Sequence, residues 1–317
     1  MIASSLKVSV AISTYNLASY IRECIDSVLS QRVDFDYEIV IADDCSVDET
    51  VGVLEEYFDN NRDVIRLIQR PTNLGMIRNV ATLALECRGD YIIPLDGDDR
   101  MLPGRLQGLV DFLDTHVECS IAFHELRVFD SDTNETLGCF HKNYYNRKYI
   151  PDISTIEHLV LYGNYFLPSG VAYRRSAIPD GGFYTELSLI EDYIRNIQVA
   201  SNGKIGRVDE VLGEYRIHSQ SATQLTRSNV LRRRKVLDDQ LKTLDLSGQY
   251  GVPKRTIVKG KANAYLAAAL FFLRERQYLI FREILIDGVM MAGFFNLKHF
   301  LVFCFCFFPR LLRRWNF

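Results

Sequence analysis

The chain predicts an α/β fold: a mainly parallel sheet with helices on both faces, followed by a separate helical region. Three observations lead there. Apolar strand-like segments alternate with segments of helical period through the first hundred residues, polar and acidic clusters stand where those strands would end, and charge is divided along the chain. Residues 1–225 hold 20 Lys and Arg against 34 Asp and Glu, a net of -14, whereas residues 226–317 hold 17 against 6, a net of +11, within an overall charge of -3.

The elements follow in order. Lys7-Val8-Ser9-Val10-Ala11-Ile12-Ser13 reads as a buried strand, and Ile21, Cys24, Ile25, Val28 and Leu29 then recur at helical spacing. The cycle repeats with a strand over Tyr37–Ala42, a helix around Thr50–Phe58, a strand over Val64–Gln69, a helix around Met76–Glu86 and a fourth strand over Tyr91–Leu95. Connections of this kind are right-handed crossovers, and ligands of such sheets bind outside the carboxyl ends of the strands. Those ends carry Ser13-Thr14-Tyr15-Asn16, Asp43-Asp44 and Asp96-Gly97-Asp98-Asp99. Pro103 opens a helix on Leu106, Leu109, Val110 and Leu113, which leads to strand-like stretches at Cys119–Phe123 and Leu126–Phe129. Alternation then weakens. The turn Asp130–Asn134 and the Tyr-rich segment Tyr144–Tyr149 mark a less regular half, with helices expected over 154–163 and 188–201 and a strand over Val211–Ile217. From Arg227 the pattern is helical, broken near Ser247–Pro253.

With 48% hydrophobic and 24% charged residues the composition is globular, which excludes disorder, collagen and coiled coil. The seven cysteines are scattered and never form a C-x-x-C pair, so they make neither a disulfide framework nor a zinc site. Met1–Leu6 runs directly into a strand with no export signal, and a cytoplasmic location is expected.

Three carboxylates within four residues repel one another, and a hard divalent cation resolves that conflict by taking one or two of them and filling its octahedron with water and phosphate oxygens. Asp96-Gly97-Asp98-Asp99 therefore reads as a clamp for a diphosphate-bound Mg²⁺ or Mn²⁺, although the tetrapeptide alone is a weak signal for which a solvated acidic turn is the favoured reading. Its company decides. Val8 to Asn16, Ile41-Ala42-Asp43-Asp44-Cys45-Ser46-x-Asp48-x-Thr50, Asn73-x-Gly75-x-x-x-Asn79, Gly89-Asp90-Tyr91 and Leu95 to Asp99 together resemble the family 2 glycosyltransferases, five ordered motifs over about the first hundred residues.

That resemblance implies the GT-A fold, a nucleoside diphosphate sugar bound through a metal, and inversion at the anomeric centre. Residue by residue, it implies that Ser13, Tyr15 and Asn16 line the nucleotide pocket with Tyr15 beside the base, and that Asp44 accepts from the pyrimidine ring N–H, favouring a UDP- or dTDP-sugar. Asn73, Gly75 and Asn79 would shape the loop near ribose and diphosphate, Arg78 would meet the donor phosphate or a surface acid, and Ser46 and Asp48 would cap the following helix. Asp96 and Gly97 would lie near the ribose or metal, with Asp98 the principal metal ligand and Asp99 beside it. An inverting transferase also needs a base standing apart from the metal. Glu191-Asp192 occupies the matching downstream position, with Asp192 as the base and Glu191 as its orienting or sugar-binding neighbour; an acidic helix start is the plain alternative. Tyr215-Arg216-Ile217-His218-Ser219-Gln220-Ser221 resembles the segment that closes the donor site, which makes His218 a candidate third metal ligand. The Gln-x-x-Arg-Trp motif of processive synthases is missing, so transfer of a single sugar is expected.

On this reading residues 1–225 are a catalytic domain, with a donor-binding half to about residue 100 and an acceptor-binding half beyond it, and residues 226–317 a basic amphipathic helical extension. The apolar run 300–308 is far shorter than the ~20 residues of a spanning helix. Followed by Pro309-Arg310-Leu311-Leu312-Arg313-Arg314-Trp315, it predicts an element lying in the headgroups of an anionic inner leaflet, the alternative being packing on the catalytic domain or on a second subunit. Because the basic residues alternate with aliphatics, nucleic acid is not an expected partner. The expected partners are a nucleotide sugar, a lipid-linked or oligosaccharide acceptor in cell-surface polysaccharide or O-antigen assembly, and the membrane surface; a homo-oligomer stays open. A sugar nucleotidyltransferase would need a Gly-rich loop after the first strand, absent from Ser13–Asn16, and a non-catalytic scaffold would have lost Asp98 or the downstream acidic pair.

Overall fold

In a computed structural model the chain is described over residues 6–144, 149–219, 221, 224, 226, 229–294, 297–304, 306, 307 and 309. Gln220, the middle of the Tyr-rich segment (145–148) and the basic terminus 310–317 lie outside the described residues.

The first half follows the expected alternation: β1 (Val8–Thr14), α1 (Ile21–Leu29), β2 (Tyr37–Asp43), α2 (Thr50–Asn60), β3 (Ile65–Gln69), α3 (Met76–Glu86) and β4 (Tyr91–Asp96). β1 lies between β2 and β4, parallel to both, and β3 flanks β2. Val8, Val10 and Ile12 of β1 are fully buried, as a central strand covered on both faces requires. The register decides what comes together at the carboxyl edge: Ser13 is paired with Ala42 on one side and with Asp96 on the other, and Thr14 faces Asp43.

The second half is mixed. After β5 (Arg100–Met101) and α4 (Arg105–Thr115) comes β6 (Cys119–Asp130), one strand of 12 residues where the sequence pattern suggested two. His124, which interrupts that pattern, is buried within it. Then follow β7 (Thr136–Cys139), α5 (Phe140–Tyr144), β8 (Ile153–Ser154), α6 (Ile156–Tyr162), a 3-10 turn at Pro168–Gly170, β9 (Val171–Arg174), a second 3-10 turn at Arg175–Ala177, α7 (Asp192–Ala200) and β10 (Lys204–Ile217). β9 is antiparallel to both β4 and β6 and joins the two halves into one sheet of order β3-β2-β1-β4-β9-β6-β10-β5. Its four residues are too few to show a period, so only the structure reveals it.

Beyond residue 229 lie α8 (Val230–Leu246), α9 (Lys254–Arg274), α10 (Tyr278–Ala292) and α11 (Leu297–Cys304). α8 and α9 do not stand off from the sheet domain. Leu244 and Val252 are buried in the same cluster as Ile121, Phe123, Tyr165 and Tyr193. Gly260 of α9 packs so closely on α6 that a Cβ there would sit 2.4 Å from the Val160 carbonyl oxygen. The Asn263 amide donates to the Leu161 carbonyl at 2.8 Å. Among the described residues no helix is long and apolar enough to cross a membrane. Leu279, Met290, Met291, Phe294, Phe300 and Phe307 of the last two helices and their flanks are exposed.

Candidate active site

The nucleotide side is built by loops that tie one another down. Asn16, at a left-handed φ of 53°, donates its backbone N–H to Ser46 Oγ at 2.8 Å, and its Oδ1 accepts from the Val47 N–H at 2.9 Å. Ser46 also holds Asp43, and so spans two loops instead of capping α2 as expected. Asp48 does reach the first turn of α2, through the Thr50 N–H at 3.0 Å, and accepts from Ala18 as well. Tyr15 is 45% exposed above this floor. Asp44 is buried, and its two carboxylate oxygens accept from the N–H groups of Leu74 and Gly75 at 2.7 and 2.9 Å. Asn73 spans the same turn, donating to the Asp44 carbonyl and accepting from Gly75. Gly75 adopts φ +81°, open to glycine and strained for other residues. Asn79 lies deeper than expected of a loop-shaping residue: it is buried and pins α3 to the Ala42 carbonyl at 3.0 Å. Arg78 is exposed on the first turn of α3, with no ion pair among the described residues.

At the end of β4 the three carboxylates separate. The Asp96 backbone N–H is held by Ser169 Oγ at 3.0 Å. Gly97 donates to the Ser13 carbonyl at 3.0 Å, and a Cβ at Gly97 would meet Leu17, Ile21 and the Ser13 carbonyl, all at 3.1 Å. Asp98 faces His218, with Oδ2 and Nε2 2.9 Å apart. His218 is buried and packed on the Tyr20 ring. Asp99 departs from the expected set: it is 1% exposed, turned inward to accept the Arg216 backbone N–H at 2.8 Å. Burial, then the Asp98 and Asp96 charges, raise its carboxyl far above the usual range. The fully buried Arg105 guanidinium, brought down to about 10 by burial, is the cation behind it. Arg216 staples the strand end to this turn, with Nε to the Asp98 carbonyl and a terminal nitrogen to Glu23, both at 2.7 Å.

The acidic pair opens α7. Asp192 Oδ1 takes the Tyr193 N–H at 2.9 Å and Oδ2 takes the Asn164 amide at 2.7 Å. A chain continues from Asn164 to Asn196, to the Tyr173 hydroxyl and to the buried Arg195, whose guanidinium lies 3.3 Å from Glu191. Burial pushes Glu191 up to about 7 against the pull of Arg195, and raises Asp192 in the same way. Burial and then the Asp98 charge push Asp96 up to about 7; Arg195 and Asp192 act on it as well, so the acidic pair and the β4 end share one electrostatic site. The loop before the pair is fastened from the C-terminal region, since buried Asp239 of α8 accepts the N–H groups of Ser188, Leu189 and Ile190 at 2.7–3.2 Å.

Ser169, Asn164, Arg195 and Asp239 hold the candidate site residues in place and were not singled out by sequence reasoning, whereas Arg216 lay within the Tyr215–Ser221 segment without a role of its own. Of the four, Arg195 had a local signal, its i+4 spacing from Glu191.

Asp98 and His218 fit a divalent cation. Among the described residues no three His, Cys, Asp or Glu side chains converge on one point, and two protein ligands are what Mg²⁺ or Mn²⁺ uses when phosphate oxygens and water supply the rest.

The model of glycosyl transferase family 2 matches residues 9–178. An uncharacterized protein of Mycobacterium tuberculosis is 30% identical over 212 residues, 67% of this chain and 59% of that protein, so the chain spans less than two thirds of that relative's length. The crystal structure of TarS 1–349 of Staphylococcus aureus in complex with UDP-GlcNAc superposes with a TM-score of 0.66 at 18% identity, over 97% of this chain and 88% of that one. The mannosyltransferase PcManGT of Pyrobaculum calidifontis, in complex with GDP-Man and Mn²⁺, superposes with a TM-score of 0.61 at 16% identity, over 99% and 88%. The fold is therefore GT-A, and the likeness extends through the C-terminal helices.

Proposed function

The chain belongs to glycosyl transferase family 2 and is an enzyme of the transferase class, and from that premise we propose that it transfers a single sugar, with inversion, from a UDP- or dTDP-sugar to a lipid-linked or saccharide acceptor in cell-surface polysaccharide assembly. The observation that carries the proposal is the meeting of three segments distant in sequence: the Asp96–Asp99 turn, His218 and the Glu191-Asp192 pair.

In this reading Asp98 and His218 hold the divalent cation, with Asp96 beside them. Bound there, a divalent cation supplies positive charge to the donor diphosphate as it leaves. Tyr15 and Asn16 border the base. Asp44, with both oxygens already accepting from the loop, has lone pairs left for a pyrimidine N–H. Asp192 takes the proton from the acceptor hydroxyl as that oxygen forms its bond to the anomeric carbon and the bond to the diphosphate oxygen breaks. Its raised pKa makes it a better proton acceptor than an ordinary aspartate, and the Asn164 amide fixes the direction in which Oδ2 points. Glu191, neutralised by Arg195, positions the pair. Exposed apolar side chains of α10 and α11, with the basic terminus, support a location on the inner face of the membrane.

Release of UDP, dTDP or GDP from a panel of nucleotide sugars, with and without Mn²⁺, tests this. Metal-dependent release from a UDP- or dTDP-sugar is expected. A preference for GDP-sugars would remove the assignment of Asp44, and metal-independent release would remove that of Asp98.

A further inference from the structure

Beneath the end of β4, on the sheet face that carries Ala11 and Pro94, a pocket of about 370 Å³ lies between α3 and α7. That is small for a whole nucleotide sugar and suited to one of its substituents. The pocket reaches the carboxyl edge of the sheet at Ser13 and Asp96, Leu83, Ala84 and Phe183 supply apolar walls, and Arg195 is the one cation among the described lining residues. Arg195 is 2% exposed and held on several sides. Its Nε donates to the Tyr173 hydroxyl at 3.2 Å, Nη1 lies 3.3 Å from a Glu191 carboxylate oxygen, and the guanidinium stands 5.7 and 5.9 Å from the Tyr173 and Phe183 ring centres. The remaining nitrogen, Nη2, has no hydrogen-bond partner among the described residues. A buried charged donor without an acceptor is costly, so an acceptor brought by a ligand gains more there than at a surface.

From this arrangement we infer that the pocket receives an acetamido group at C2 of the donor sugar, with the carbonyl oxygen accepting from Arg195 Nη2, the N–H donating to Asp96, and the methyl group seated against Leu83, Ala84 and Phe183. The inference rests on the glycosyltransferase reading above and deepens it by naming the class of sugar. In that reading the anomeric carbon lies between the diphosphate held at Asp98 and the base Asp192, and the charges of both these carboxylates act on Asp96. C2 is bonded to the anomeric carbon, so its substituent is the one placed over the Asp96 end of the pocket, whereas C6 is held further off across the ring. The chemistry of the lining then selects among substituents. A hydroxyl would leave the apolar walls uncovered. The methyl group of a deoxy sugar would cover them but leave Arg195 Nη2 unpaired. A carboxylate would pair with Arg195 but would meet Asp96 and Glu191 as like charges. Of these four, the acetamido group answers the donor, the acceptor and the apolar wall together.

Calorimetry on the full chain with Mn²⁺ tests this by comparing UDP-GlcNAc with UDP-Glc and UDP-GalNAc with UDP-Gal. In whichever pair binds more tightly, the acetamido sugar should bind roughly tenfold or more tighter than its hydroxyl counterpart, a result that depends on no variant folding. Ala84→Leu, which fills the pocket from α3, should cancel most of that preference and leave the affinity for UDP alone unchanged. Arg195→Lys keeps a charge beside Glu191 but removes the planar fork, and it should lower the ratio of the two affinities, whereas a purely structural loss at α7 would weaken both sugars alike. Equal affinities within both pairs for wild type, or an undiminished preference in Ala84→Leu or Arg195→Lys, would overturn the inference. UDP alone with Mn²⁺ reads the donor site on the same preparations. If UDP does not bind, the glycosyltransferase reading fails and the inference with it; if UDP binds and the acetamido group is not preferred, the pocket assignment alone fails.

Discussion

The two sides of the site are built in opposite ways. On the donor side, Ser13, Asn16, Asp44 and Asp96–Asp98 sit at the ends of adjacent parallel strands, and their supports come mostly from the neighbouring strand or the loop after it. On the side of the acidic pair, Asp192 is held by Asn164, which lies 28 residues before it, and the loop that delivers it is clamped by Asp239, 49 to 51 residues beyond that loop. Strand register brings the first side together, with Ser169, Arg216 and His218 holding only its β4 end from further along the chain. The second depends on α6, β9 and α8 packing correctly, so perturbations far from the chemistry should reach catalysis through the base and leave donor binding intact.

This asymmetry can be broken or sharpened experimentally. The largest expected effect is from Asp192→Asn, which should lower turnover by roughly two to four orders of magnitude with donor affinity unchanged. Titration calorimetry with UDP and a turnover assay on one preparation check it. Because burial raises this carboxyl, wild-type turnover should already fall, as pH drops, at a pH above the ordinary carboxylate range, and Asp192→Asn should abolish that acid limb.

Asp239→Ala comes next. Three backbone N–H groups lose their acceptor, at a cost of about 1–3 kcal/mol for each that stays buried and unsatisfied. Turnover should fall about 10- to 100-fold with a lowered melting temperature, while UDP affinity holds. If UDP affinity fell in parallel, the two sides would not be independent.

Gly75→Ala is milder and probes the donor side alone. The strained φ should cost about 1 kcal/mol and weaken donor binding several-fold without changing turnover at saturation. Smallest for the donor side is removal of residues 296–317, which should leave metal-dependent UDP release intact and move the protein from the membrane to the soluble fraction of a cell lysate.

The same asymmetry explains what could be read before the structure. β1 to β4 and α1 to α3 are legible because each strand is an apolar run ended by polar residues and each helix shows its period, and a donor site at the carboxyl edge follows from that alternation. β9 is invisible at four residues, although it unites the sheet. Asn164 and Asp239 carry no local pattern, because what selects them is a partner in another element. Asp99 looks like its neighbours in sequence, and only the backbone turn sends it inward to Arg216 while Asp98 faces His218. Likewise the charge step at residue 225 is real, yet the core formed with Leu244 and Val252 runs across it.

The most direct test of the central claim is UDP binding to wild type and to Asp98→Asn, measured by calorimetry with and without Mn²⁺. The account predicts that Mn²⁺ tightens UDP binding to wild type by at least about tenfold and that Asp98→Asn abolishes this gain while keeping the metal-free affinity. An undiminished Mn²⁺ effect in Asp98→Asn would contradict it.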